Sequence, residues 1–185
     1  MTSENHPCEI LSDLYSISKR TNDYLSLQYT FVGKRGNIGN TWFDASRALG
    51  FPFRQCCPKG RNYEIPGAEV LYELDSALQG SDVILTDSLS AGTLDDFRPY
   101  QITIDAMSKA NSTAILNPCP PFYRGEEVSA DVIDSPFFVG YQFKAALLKV
   151  QQALIVYLLQ RQIRAQGRAA VCPDWACRYR MMPSD

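Results

Sequence analysis

At 185 residues, with 45% hydrophobic and 21% charged residues, the chain is long enough for one well-buried core and short for two. A formal net charge of -2 leaves no electrostatic footprint for nucleic acid or an anionic membrane surface. The longest uninterrupted apolar run, Ala153 to Leu159, falls far short of the roughly 20 residues that cross a bilayer, so neither a membrane span nor a nucleic-acid partner is expected.

The chain opens on Met-Thr-Ser-Glu-Asn-His-Pro-Cys, which has neither the basic nor the apolar region of a secretory signal. Its six cysteines are therefore expected in a reducing compartment, the cytoplasm, or the mitochondrion if an N-terminal part is missing. Cys172 and Cys177 are at most half a metal site in a chain whose single histidine is His6, and structural zinc takes four ligands; no metal and no cofactor are expected.

Ile10 to Lys19 has a helical apolar face (Ile10, Leu11, Leu14, Tyr15, Ile17), closed by Asn22-Asp23. Leu27 to Val32 is a β-rich run ending at Gly33. Gly33 to Asn40 then leads into a predicted helix, Thr41 to Leu49, whose first amides can face an anionic group such as a carboxylate. The glycines lack the Gly-x-Gly-x-x-Gly order of a dinucleotide site and serve equally well as a turn. Phe53 to Cys57 reads as a second strand stopped by Pro58-Lys-Gly60, Val70 to Leu78 as a helix, and Val83 to Leu85 as a third strand running into Thr86 to Gly92. Ile104 to Ala110 is a predicted helix and Ala114 to Leu116 the fourth strand. Pro118, Pro120 and Pro121 forbid its continuation and set Cys119 in a rigid loop, which serves either as a site or as a stiffened connection around a buried thiol. Phe137-Phe138 is a short fifth strand. Phe143 to Gln162 is a helix apolar over much of its circumference, which folds over its own sheet or else needs a second copy or a separate chain.

Strands alternating with helices imply an α/β, Rossmann-like, mostly parallel sheet with right-handed crossovers. The expected organisation is one domain over 1–162 (an N-terminal helix segment 1–26, a sheet core 27–138, a C-terminal helix 143–162), then a flexible tail, 163–185. In such a sheet the loops Gly33–Asn40, Asp87–Gly92 and Asn117–Arg124 emerge on one edge, where ligands bind. They bring together the Asn37 amide, the Asp87 carboxylate, the Ser90 hydroxyl and the Cys119 thiol, a set suited to an amino acid with a second amine. A carboxylate and a thiol there help an ammonium lose its proton, because an amine attacks only when neutral. Asp87 after a strand is also a common turn or cap residue.

Glu-Asn-His-Pro-Cys-Glu at 4–9, Phe31-Val-Gly-Lys-Arg-Gly-Asn-Ile38, Pro58-Lys-Gly60, Thr86-Asp87 with Ser90-Ala-Gly92, and Pro118-Cys-Pro-Pro-x-x-Arg-Gly-Glu-Glu-Val128, in that order, resemble the ornithine carbamoyltransferases from about Thr2 to Leu159. The resemblance implies the family's C-terminal, Rossmann-like, ornithine-binding domain, and transfer of a carbamoyl group from carbamoyl phosphate to the ornithine side-chain amine, giving citrulline, as in arginine biosynthesis. The family's Ser-x-Arg-Thr phosphate-binding run, which belongs to its N-terminal domain, does not occur here. Carbamoyl phosphate is therefore expected to bind only if a second copy or a carbamoyltransferase partner chain completes the site.

By that resemblance Asn37 binds the amino-acid end of the substrate, Asp87 lies near its amines, and Ser90 stands in the family's Ser-Met-Gly element, one residue nearer Asp87. Cys119 occupies the cysteine of His-Cys-Leu-Pro, flanked by Pro118 and by Pro120 in the leucine's place. His6 matches the histidine that touches the carbamoyl group, whereas Glu9 replaces a glutamine and repels carbamoyl phosphate. Lys144 stands near the family's Glu-Asn-Arg arginine and substitutes only as a point charge. The segment between the second and third strands is short for the family's extra helix and strand. Two functions follow: carbamoyl transfer to ornithine or a related amino acid with help from a partner, or a non-catalytic homologue that binds an amino acid or a carbamoyltransferase subunit.

Overall fold

The computed structural model describes residues 2–63 and 68–165. The chain divides into two compact units, Met1–Leu147 and Leu148–Asp185. The elements run α1 (Pro7–Ser18), β1 (Tyr29–Val32), α2 (Asn37–Leu49), β2 (Phe53–Cys56), β3 (Glu69–Leu71), α3 (Leu74–Leu78), β4 (Val83–Thr86), α4 (Leu94–Phe97), α5 (Ile104–Met107), β5 (Ile115–Pro118), α6 (Ala130–Ile133), α7 (Gly140–Lys144) and α8 (Leu147–Ala165). Among the described residues no helix is long and apolar enough to cross a membrane.

All strand pairs are parallel, in the order β3-β2-β1-β4-β5. The chain winds outward from β1 through β2 to β3, then returns to the other side for β4 and β5, so the order reverses between β1 and β4. A crevice is expected there, outside the carboxyl ends of the strands. Register places Val32 beside Thr86, and Thr86 beside Pro118, so three strands end level.

Alternation along the strands divides the core. Tyr29, Phe31, Val83, Leu85 and Ile115 pack with Ile10, Leu14, Ile17, Ile38 and Trp42 on the face covered by α1 and α2. Val32, Ile84 and Leu116 pack with Leu78, Met107, Val132 and Ile133 on the other. Strands β1 and β4 are buried along their whole length, as strands covered on both faces must be.

Several boundaries differ from the sequence reading. Helix α2 begins at Asn37 rather than Thr41, with Gly36 extended before it and Gly50, at φ +81°, closing it through an N–H bond to the Ser46 carbonyl. Ile38, Trp42 and Ala45 give it one apolar face at helical spacing. Gly39 lies within the helix because its neighbours leave no room for a side chain: a Cβ would meet the Tyr63 hydroxyl, with a Phe31 ring carbon at 2.7 Å. Gly39→Ala is therefore expected to destabilise the fold by about 1–3 kcal/mol in urea unfolding. The stabilisation normal for glycine to alanine on an open helix face would overturn that packing.

Val70 lies in the edge strand β3, not in a helix, and only Leu74–Leu78 is helical there. The segment between β2 and β4 thus does hold an additional strand and helix. Phe138 makes an isolated bridge to Leu116 rather than a fifth full strand, and the fifth strand is β3 on the opposite edge. Strand β5 continues through Asn117 and Pro118. The expected single helix over 143–162 is two, interrupted at Ala145 and Ala146, whose N–H groups bond to carbonyls three residues back. Helix α8 reaches Ala165, so residues 163–165 of the expected tail are helical, while 166–185, with Cys172 and Cys177, lie outside the described residues. Within α8, Leu148, Ile155, Leu158 and Leu159 are exposed.

Candidate functional site

The loop after β1 is held from below by two buried side chains. Gln55, on β2, donates its amide to the Gly33 carbonyl at 2.8 Å and accepts from the Tyr63 N–H at 2.9 Å. The Tyr63 hydroxyl accepts from the Gly36 N–H (2.9 Å) and donates to the Gly36 carbonyl (3.0 Å). Gly33 to Gly36 is thereby fixed before α2 starts. Neither Gln55 nor Tyr63 was legible as a site residue, because a polar residue within a strand gives no sign of what its amide will hold.

Asn37 opens α2 and donates its amide to the Thr2 carbonyl at 3.0 Å. Asp87 follows β4 across the crevice; a Cβ on Gly36 would stand 3.7 Å from its Oδ2. Its carboxylate accepts from the Ser88 N–H at 2.9 Å. Burial pushes its pKa up, opposed by that hydrogen bond and by the Lys34 and His6 charges. Ser90 accepts from the Lys34 ammonium at 2.8 Å. His6 caps the start of α1, its N–H bonded to the Thr41 hydroxyl on α2 at 2.7 Å, so its ring lies within electrostatic reach of Asp87.

Cys119 follows β5, its N–H bonded to the Thr86 carbonyl at 3.0 Å, and is buried. Burial, then the negative charges of Glu9 and Asp87, push its thiol pKa well above the usual range, so it stands in the site as a neutral thiol, 3.7 Å from the Pro120 carbonyl. The Pro120–Pro121 peptide is cis. The structure thus gathers Asp87, Ser90, Cys119, His6 and the Asn37 end of α2 along one sheet edge. Arg124 does not join them: its guanidinium pairs in a fork with Asp134, both contacts at 3.1 Å.

Two buried features support this edge. Glu127, 4% exposed, accepts from the Tyr123 N–H at 2.8 Å and so pins the proline loop, and burial raises its pKa. Beneath Cys119, Lys144 of α7 is shared by Glu9 and Asp13 of α1, with Nζ 2.9 and 3.1 Å from the two Asp13 oxygens. Burial raises the Asp13 pKa despite Lys144. For Lys144 itself burial pulls down, and the two carboxylates outweigh it, so its pKa is raised. The added negative charge at Glu9, expected to repel carbamoyl phosphate, is held in an internal ion pair with Lys144. Asn117, also buried, lies close enough to favour the Asp13 carboxylate, yet neither of its amide atoms has a hydrogen bond of good geometry.

Residues 26–158 match the family model described as aspartate/ornithine carbamoyltransferase, Asp/Orn binding domain. The chain is 32% identical to the ornithine carbamoyltransferase of Chromobacterium violaceum over 175 residues, covering 86% of this chain and 57% of that protein. It is 31% identical to that of Methylobacillus flagellatus, covering 89% and 59%. The chain thus spans less than three-fifths of the length of these relatives. Its fold is similar to the ornithine carbamoyltransferase structure from Burkholderia thailandensis, with TM-score 0.79 and 31% identity over 86% of this chain and 56% of that one. The structure from Pyrococcus furiosus gives TM-score 0.76 and 27% identity, over 83% and 56%.

Proposed function

Because this chain belongs to the aspartate/ornithine carbamoyltransferase family through its Asp/Orn-binding domain, we propose that it holds the acceptor amino acid, ornithine or a related amine, in a carbamoyl transfer whose carbamoyl phosphate site is completed by a further domain or a partner chain. The observation that carries this reading is the convergence of the Asn37 end of α2, Asp87, Ser90 and Cys119 at the β1–β4 reversal.

Asn37 and the first amides of α2 would receive the amino-acid carboxylate, and Asp87 the ammonium. The amine nitrogen attacks the carbamoyl carbon, the bond to the phosphate oxygen breaks, phosphate leaves, and the amine proton passes to Asp87. An ionised carboxylate also holds the ammonium form, so the raised Asp87 pKa favours the transfer by narrowing the gap to the amine. Cys119, protonated, contributes a weak hydrogen-bond donor beside the Pro120 carbonyl. His6 would face the carbamoyl group.

A second reading, a non-catalytic homologue that binds an amino acid or a carbamoyltransferase subunit, is supported by Lys144: this cation, which by resemblance stands near the family's Glu-Asn-Arg arginine, is already paired with Glu9 and Asp13. Citrulline formation from ornithine and carbamoyl phosphate, with and without a carbamoyltransferase partner chain, separates the two, with ornithine binding followed by calorimetry. Turnover that falls roughly 10-fold or more in Cys119→Ala supports the transferase. Binding without turnover favours the second reading, and no amino-acid binding sinks both as readings of this edge.

A further inference from the structure

Of the three glycines around the start of α2, two lack a side chain because the protein leaves no room for one. A Cβ on Gly33 would stand 2.8 Å from the Phe31 ring, and Gly39 is crowded as described above. Gly36 has neither that reason nor a backbone one. Its φ of -173° and ψ of 177° are extended, a conformation open to any residue. Among the described residues the only atom that a Cβ would meet within 4 Å is Asp87 Oδ2, at an ordinary contact distance of 3.7 Å. The fold would therefore accept alanine here. What the methyl would take is the space in front of the Asp87 carboxylate.

Both sides of that space are held in place. The Tyr63 hydroxyl binds the N–H and the carbonyl of Gly36, at 2.9 and 3.0 Å, and the same carbonyl accepts from the Asn40 N–H at 2.9 Å. Gly36 cannot draw back without giving up the first turn of α2. Asp87 is tied through its other oxygen, Oδ1, to the Ser88 N–H. Both residues are only half-buried, within reach of a ligand. An ammonium nitrogen approaches a carboxylate oxygen to about 2.8 Å, and a methyl carbon already in contact with Oδ2 would obstruct it from that side. We infer that Gly36 is a specificity-determining residue, bare so that the acceptor's reacting amine can enter between its Cα and Asp87, and that Tyr63 is the positioning residue that sets the width of this entry. A primary ammonium passes, and an amine carrying one more carbon does not. This rests on the acceptor site proposed above and adds its selectivity.

Calorimetric titration of the purified chain with L-ornithine and with Nδ-methyl-L-ornithine tests it, beside urea unfolding. The wild type is expected to bind ornithine about 10-fold or more tightly than the methylated amine. Gly36→Ala should lose about 10-fold or more in ornithine affinity while its urea midpoint stays level or rises slightly, the reverse of Gly39→Ala. Tyr63→Phe keeps the ring and removes the hydroxyl, so it should narrow the ratio between the two amines toward one, a change that a merely structural tyrosine would not cause. If that variant does not fold, Gly36→Ala carries the test alone. Unchanged ornithine affinity in Gly36→Ala, a fall in its urea midpoint, equal binding of the two amines by the wild type, or a ratio that Tyr63→Phe leaves untouched would each overturn the inference while leaving the acceptor site standing. No ornithine binding by the wild-type chain removes the site and the inference with it.

Discussion

Lys144→Met is expected to destabilise the chain by about 3–5 kcal/mol, because it leaves the two buried carboxylates of Glu9 and Asp13 without their cation. Urea unfolding measures it, and pH gives the result a sign. The Lys144 pKa is raised above its ordinary 10.5, so its contribution is fully present below pH 10.5 and is lost as pH rises through the raised value. Asp13 is likewise raised above 3.8: the fold favours its protonated form, and that contribution, present below pH 3.8, is lost as pH climbs through the raised value. The variant should therefore recover stability on acidification, as the unpaired Asp13 takes up a proton, and the gap to wild type should narrow. Replacing all three (Glu9→Gln, Asp13→Asn, Lys144→Met) removes the charges together and should cost less than Lys144→Met alone. A gap below 1 kcal/mol at neutral pH, or one indifferent to acid, would mean that the pair is not as dry as its geometry indicates.

Asp87→Asn is expected to lower kcat/KM for carbamoyl transfer by about 10²–10⁴ in whatever assembly completes the carbamoyl phosphate site. Asparagine keeps an acceptor for the Ser88 N–H, so thermal unfolding should move little and the loss can be assigned to the amine. The pH profile carries the sharper signature. Proton acceptance needs the ionised carboxylate, so activity should rise with pH through an acid limb above the ordinary 3.8, and that limb should vanish in the variant. An unchanged limb would assign it to another group and remove Asp87 from the proton path.

The sheet was legible in the chain because β1, β4 and β5 are short apolar runs that give way to polar, glycine- or proline-bearing loops, a local signal. Strand β3 was not: Val70, Leu71, Leu74, Ala77 and Leu78 also satisfy helical spacing, and only pairing with β2 makes the first of them a strand. The early start of α2 was hidden because Gly39 reads as a turn until Phe31 and Tyr63 are seen to crowd it. At the site, the residues following strand ends could be nominated from position alone. Their supports could not, since Lys144 and Asp13 meet across 131 residues of chain and nothing local to Glu9 shows that its charge will be covered. Lys34 was visible as a cation after β1, but its bond to Ser90, beyond β4, depends on the strand order.

That order has a consequence for how the site comes into being. The central strand, β1, is the first of the five to be synthesised; β2 and β3 then join one flank, and β4 and β5 the other. A nascent chain that has docked only the first flank possesses the glycine loop and the start of α2 but no opposite wall. The crevice is created when strand addition switches to the other flank of β1, and Cys119 is delivered last, with β5. An amino-acid ligand should therefore stabilise only chains whose second flank has closed, making ligand-dependent protease resistance a clock for the late half of assembly.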